Sequence, residues 1–201
     1  MNTPSHAIAN LAILIAPTQP QATIAIVVGA VLPDLPMFLM YFWAKIIRRQ
    51  PETRIWTEIY FSPFWQNITH GFHSLPLILM GIVVAHHFGF GQIEMILLSA
   101  LLHCLGDLPV HHDDAHRHFY PFSNYRFISP ISYWDVKHHG KIVSLIEKLL
   151  VLIASIYIFP LQQSLISKGL IIAVNLIYMA LFLYFRVFKR FHASNSVTFK
   201  Q

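Results

Sequence analysis

Charged side chains are scarce in this chain: Asp, Glu, Lys and Arg make up 11% of 201 residues, against 55% hydrophobic. Ordinary soluble domains carry roughly 25% charged residues, so the composition argues against that class. A single cysteine, Cys104, excludes an internal disulfide and leaves the compartment undetermined. It follows His103 by one residue and reads as a small buried core residue. The sequence also lacks a serine-nucleophile motif, a phosphate-binding glycine loop, a dinucleotide fingerprint, an internal repeat and a low-complexity tract. No Lys or Arg precedes the first apolar stretch, which argues against a cleaved secretory signal. The formal net charge of +5 is not gathered into a dense block, so nucleic acid is not expected as the primary partner.

What the chain has in abundance is apolar sequence, in blocks at 7–16, 22–47, 74–88, 95–108, 149–159 and 169–185. The mean hydropathy of +0.53 agrees. Few blocks reach the ~20 residues of a straight span, so several helices are expected to be short or partly inserted. The expected fold class is all-α: an integral membrane helical bundle of short hairpins, with about four to six membrane-inserted helices. Residues 1–140 read as a membrane-embedded metal-site domain, 141–190 as a C-terminal transmembrane hairpin of the same bundle, and 191–201 as a loose polar tail.

Proline and glycine punctuate the blocks into hairpins. Pro17-Thr-Gln-Pro20 separates 7–16 from 22–32, Gly89-Phe-Gly91 turns 74–88 into 93–108, and Gln162 to Gly169 turns 142–159 into 169–185. All three hairpins then open toward one side. That side holds 13 of the 14 basic residues, the exception being Lys168, and 11 of the 13 histidines. By the positive-inside tendency it faces the cytoplasm, together with both termini. Leu35 to Ile47 is ambiguous: it could span, or continue 22–34 as one kinked helix. Its aromatic neighbours, Tyr41 to Trp65, favour a helix lying at the interface. A crossing there would put Asp34 and His70 on opposite faces and dissolve the site.

The densest chemistry runs from His103 to His118, with five histidines and three aspartates directly after the apolar run Ile96 to Leu102. A charged group deep in lipid costs roughly 2.5–3.5 kcal/mol on insertion scales, so ionisable residues there point to function. His103 and Asp107, four apart, share one helix face and can hold one cation. The open side adds His6, Asp34, His70, His73, His111, His112, Asp113 and Asp114, more than one ion needs. Imidazoles with carboxylates suit zinc, and also manganese or iron. Two ions bridged by a carboxylate would fit the surplus and the demands of phosphoester hydrolysis. His6 reads equally as a helix start. One of His70 and His73 is expected to be structural, and about half of the 111–118 run to be ligands or their hydrogen-bonding partners. Asp135 with His138 and His139 forms a weaker second cluster.

Several motifs then fall in order: Gly29-x-x-Leu-Pro-Asp34, His70-Gly-Phe-His73-Ser-Leu, His103-x-x-x-Asp107, and Tyr120-Pro-Phe-Ser123 with Arg126. From His6 to about Arg126 the chain resembles the bacterial YdjM-like family of inner-membrane metal-dependent hydrolases. More distantly, His103-Cys-Leu-Gly-Asp107 is similar to the His-x-x-Gly-Asp element of zinc-dependent phospholipases C and single-strand nucleases. The resemblance implies metal ligation by His6, Asp34, His70, His103 and Asp107, completed by His111 or His112, with one to three divalent ions, zinc foremost. It also implies a bacterial-type inner membrane. The chain departs from the family in having Leu35-Pro36 where a second acidic residue often follows Pro-Asp, and in a shorter spacing between His70 and His73.

The expected function is a membrane-bound metal-dependent hydrolase acting on a phosphoester, a phosphodiester or lipid headgroup, by metal-activated water. Asp107 and His112 are the candidate catalytic residues. Arg117 and Arg126 are candidates for gripping phosphate in a bidentate fork. His73, Asp113, Asp114, Asp135 and His138 form a second tier. The alternatives are a membrane transporter, whose polar residues should lie near the bilayer midplane, and a non-catalytic metal-binding protein.

Overall fold

The protein is described by a computed structural model that covers residues 1–15 and 22–197. The break expected at Pro17–Pro20 lies outside the described residues. The chain is helical, with no strand among the described residues: α1 (Thr3–Leu14), α2 (Ala22–Val31), α3 (Leu35–Phe42), the short α4 (Glu52–Arg54), α5 (Pro63–Phe72), α6 (Leu75–His87), α7 (Gly91–Asp107), α8 (Gly140–Ile158) and α9 (Leu165–Val197). Of the stretch read as a tail, the last helix takes in residues up to Val197, and 198–201 are outside the described residues. Four segments are long and apolar enough to cross a membrane: Ala22–Ile47, Gly91–Val110, Gly140–Leu161 and Leu165–Tyr184. The pair α5 and α6, bent by 42°, would make a fifth if taken as one span. These are the helices of a membrane protein.

Over 35–47 the continuous alternative holds, and a helix separate from 22–34 is corrected. Leu32–Asp34 tightens into a 3-10 turn and the helix continues from α2 through α3 to Ile47 as one 26-residue rod. Pro33 and Pro36 remove backbone donors, and the 3-10 turn absorbs that loss without breaking the axis. Beyond Asp34 the rod turns Met40 and Ala44 onto Ile55, with Trp43 and Trp65 packed around them. Its opposite stripe, Leu35, Leu39, Phe42 and Ile46, stays exposed.

The bundle centre joins α1, α2, α8 and α9 through Ile8, Leu11, Ala22, Ile26, Val151, Ile158 and Ile171. The α2–α7 contact relies on Gly29, whose missing Cβ lets the helices approach at Ile96 and Ser99. Ser99 also links three helices: its hydroxyl donates to Ile26 O at 2.6 Å and accepts from Asn10 Nδ2 at 2.9 Å. Small residues and such hydrogen bonds are how helices associate where lipid supplies no hydrophobic drive. Cys104 is fully buried against Ile78 and Ala100.

Glu147 of α8 is a buried carboxylate inside a helix long and apolar enough to cross a membrane. It accepts from Asn2 N (2.8 Å), Asn2 Nδ2 (3.0 Å) and Ser5 Oγ (2.6 Å), and Tyr178 OH lies 2.7 Å from the same hydroxyl. These bonds dock the start of α1 and thereby fix the position of His6. Glu147→Ala leaves buried donors unpaired, at a cost of about 2 kcal/mol. Unfolding in detergent, followed by circular dichroism, should show a lowered midpoint for this variant and little change for Glu58→Ala at the exposed α4 region.

Candidate metal centre

Five parts of the fold converge at the C-terminal end of α7. His103 and Asp107 come one turn apart on α7, and His6 comes from the docked start of α1. Asp34 comes from the 3-10 turn of the long rod. His73 comes from the elbow between α5 and α6. Ser74 sets the elbow: it caps α6 by accepting from Leu77 N, and its hydroxyl donates to Tyr120 O. Leu75 N donates to His118 O at 2.8 Å. The loop after α7, which brings in His111 and His116, is held by Ser129, whose hydroxyl donates to Pro109 O at 2.6 Å.

The proton positions on two imidazoles follow from their partners. Nδ1 of His103 lies 2.7 Å from Ala30 O and Nδ1 of His73 lies 2.9 Å from Thr69 O. A carbonyl only accepts, so each Nδ1 carries the hydrogen and, in the neutral ring, each Nε2 presents a lone pair. Both Nε2 atoms are buried and without a hydrogen-bond partner among the described residues. They face carboxylate oxygens instead. His103 Nε2 is 3.1 Å from Asp107 Oδ2 and 3.6 Å from Asp34 Oδ1, and His73 Nε2 is 3.9 Å and 3.8 Å from the same two atoms. Thr3 Oγ1 donates to the other oxygen of Asp34 and so orients it.

Lone pairs and anionic oxygens gathered in a buried place favour a positive charge among them; the Met1 amino group meets Oδ1 of Asp107 at 2.6 Å, while Oδ2 faces the two imidazoles. Zinc bonds of about 2.0–2.2 Å put two ligands of a tetrahedral ion roughly 3.3–3.5 Å apart. The 3.1–3.9 Å separations here bracket that value. Three overlapping groups bring their ligand atoms within 4.8 Å of one another: His6, His103 and Asp107; Asp34, His73 and His103; His73, Asp107 and His116. The residues present can therefore hold a metal ion.

His6 Nε2 is 2.9 Å from Asp107 Oδ1, and its ring stacks on His103 at 3.7 Å. A Cβ at Gly106 would come 3.3 Å from Cε1 of that ring, a tight approach. His111 lies between two acids, Nε2 at 3.2 Å from Asp107 and Nδ1 at 3.0 Å from Asp114. Burial pulls its pKa down, but the two carboxylates outweigh that and raise it to about 9. Burial also acts to raise Asp114, yet its pKa falls because His111 bonds the carboxylate.

The structure sorts the sequence candidates. His6, Asp34, His103 and Asp107 come together, with His111 against Asp107. His73, placed in the second tier, stands at the centre. His70 does not reach the three groups; its Nδ1 accepts from Arg117 N at 3.3 Å and its ring faces His116 at 6.0 Å. The elbow explains this correction, because only the residue at the bend points toward α7. His112 is also apart: its ring stacks on His138 at 3.6 Å and its Nδ1 donates to Ser129 O. Asp113 lies 3.4 Å from His112 and is exposed, and Asp135 binds His138 at 2.6 Å. Asp135 and His138 thus bond each other, outside the three groups. Asp114, by contrast, reaches the centre through His111.

Two buried histidines of the 111–118 run, His116 and His118, were not singled out by the sequence. His116 stacks on His73 at 3.9 Å, and burial holds its pKa well below the ordinary value. Burial likewise takes His118 down to about 4. Their i, i+2 spacing in a non-helical stretch was the available signal, since alternate residues of an extended chain share a side. Arg117 and Arg126 flank His70. Arg117 donates to Asn67 Oδ1 and Asn124 Oδ1, each at 2.8 Å, and Arg126 Nη2 is 3.5 Å from His70 Nε2. Neither is paired with a carboxylate among the described residues.

Beside the cluster is a cavity of about 530 Å³, lined in part by Asp34, His111, Asp114 and His116 and in part by Val31, Met37, Phe38, Tyr60 and Tyr133. Compared with known proteins, the chain matches no family model, no curated protein and no solved structure. The centre therefore stands on its own geometry.

Proposed function

We propose that this protein is a membrane-bound metal-dependent hydrolase of phosphoesters, with zinc as the ion. The observation that carries the reading is the convergence of two imidazoles, each held at Nδ1 by a backbone carbonyl, and two carboxylates beside a cavity of about 530 Å³. Asp34, His73, His103 and Asp107 would hold the first ion, and His6 or His116 with the shared Asp107 a second. Bound there, the ion supplies charge neutralisation at phosphoryl oxygens and an acidified water. The chain's own residues do the rest. Asp107 and Asp34 draw the ion in, and the carbonyls of Ala30 and Thr69 keep His103 and His73 in the ligating tautomer. Asp114 and His111 line the cavity as a proton-carrying pair.

The basic residues at the open ends of the hairpins support a cytoplasmic face for the centre and both termini, in a bacterial-type inner membrane. One observation favours a second reading, a metal transporter: Asp34 sits midway along a membrane-crossing rod at a 3-10 break, as ion sites in transporters do. The two separate cleanly. Detergent-purified protein given zinc should hydrolyse a chromogenic phosphodiester, lose that activity to a chelator, and regain it on adding zinc. Metal flux into proteoliposomes with no hydrolysis would overturn the hydrolase reading.

A further inference from the structure

We propose that the substrate is a membrane lipid carrying its phosphoester, and that it reaches the centre sideways from the bilayer along the Ala22–Ile47 rod; this rests on the hydrolase reading. The cavity lining is of two unlike kinds. Asp34, His111, Asp114 and His116 are polar, and the phosphoester would lie against them. Val31, Met37 and Phe38, from the rod, are apolar, and Met1 to Pro4, Tyr60, Thr69 and Tyr133 complete the wall. Val31, Asp34 and Phe38 follow at i, i+3 and i+7, so one helix face carries both the acid of the centre and the greasy wall.

Phe38 belongs to two surfaces at once. It lines the cavity, and at 43% exposed it also adjoins the outward stripe of Leu35, Leu39, Phe42 and Ile46. That stripe lies on a helix long and apolar enough to cross a membrane. The cavity mouth is therefore continuous with a face that acyl chains would cover. A volume of about 530 Å³ takes a headgroup and the first carbons of a chain, and the rest of the chain would lie along the stripe.

Competing phosphoesters fit less well. A small water-soluble ester would leave Val31, Met37 and Phe38 facing water. A nucleic acid needs a basic groove with stacking platforms, and no Lys or Arg lines this cavity. In the reaction, water forms a new P–O bond, the P–O bond to the lipid alcohol breaks, and the proton of water passes to the departing oxygen.

The test uses full-length protein and two probes. First, metal-free protein in nanodiscs is irradiated with a phosphatidylglycerol bearing a diazirine near its glycerol, and crosslinks are mapped by mass spectrometry. Crosslinks should concentrate at 31–42 and be competed by unlabelled lipid; an even scatter over all exposed apolar helices would overturn the proposal. Second, zinc-loaded protein is given phosphatidylglycerol vesicles or bis(p-nitrophenyl) phosphate. Phe38→Asp should lower the ratio of lipid to soluble turnover at least tenfold. Hydrolysis of the soluble ester alone would overturn the lipid assignment and leave the hydrolase. Hydrolysis of neither would overturn the hydrolase, and the crosslink map would still decide whether lipid occupies the cavity.

Discussion

Asp107→Ala should empty the metal centre. Asp107 is fully buried and is the one residue in contact with His6, His103 and His111, at 2.9, 3.1 and 3.2 Å. It also accepts from the amino group of Met1 at 2.6 Å. Altering a hydrogen-bonding partner of a ligand costs 10–100-fold in metal affinity, so removing a shared ligand should cost about 100-fold or more. Zinc content after dialysis, measured by inductively coupled plasma mass spectrometry, checks this. Asp107→Asn keeps the volume and most of the bonding while removing the charge, and should lose metal as well. Equal zinc in wild type and Asp107→Asn would overturn the centre. The neighbouring histidines give a sharper contrast: His73→Ala should release metal about tenfold more readily, whereas His70→Ala should retain it.

That contrast marks where the sequence stops being informative. The hairpins were legible because proline and glycine interrupt apolar runs, and the helices duly pair as α6 with α7 and α8 with α9. His103 and Asp107 were legible because a four-residue spacing stacks two side chains on any helix. Whether His70 or His73 faces α7 depends on a 42° bend whose stop, Ser74, is tied to Tyr120, 46 residues away. No local pattern encodes such a contact. The fate of 35–47 was hidden for a related reason. Two prolines in four residues read as an ending, and the 3-10 turn that carries the helix through them is stabilised by packing on α5 and α7. His112 and His111 look alike in sequence, but one residue of register in a loop pinned by Ser129 sends one toward Asp107 and the other toward His138. Glu147 gave no signal at all. A lone acid in an apolar helix shows its purpose only when the backbone of Asn2 arrives beside it.

Gly29→Ala should be among the most damaging single substitutions, although it adds one methyl group. A Cβ there would lie 2.0 Å from Ile96 O and 2.7 Å from Ser99 Cβ. The first is a backbone atom and cannot rotate away, so α2 and α7 must separate. Overpacking typically costs 1–3 kcal/mol, and a clash with backbone belongs at or above about 3 kcal/mol. The centre should suffer with the fold. Ala30, the next residue, supplies the carbonyl that holds His103 Nδ1, and Asp34 follows just over one turn later on the same rod. A widened contact lets His103 turn and draws Asp34 away from Asp107. Gly71→Ala is the matched control, since nothing lies within 4 Å of a Cβ at that helical position. It should leave the unfolding midpoint unchanged or slightly raised, as alanine favours a helix over glycine by roughly 0.5–1 kcal/mol. Unfolding midpoint and zinc content should therefore fall together in Gly29→Ala and stay together in Gly71→Ala. A Gly29→Ala protein that unfolds like wild type would mean the α2–α7 approach does not position the centre.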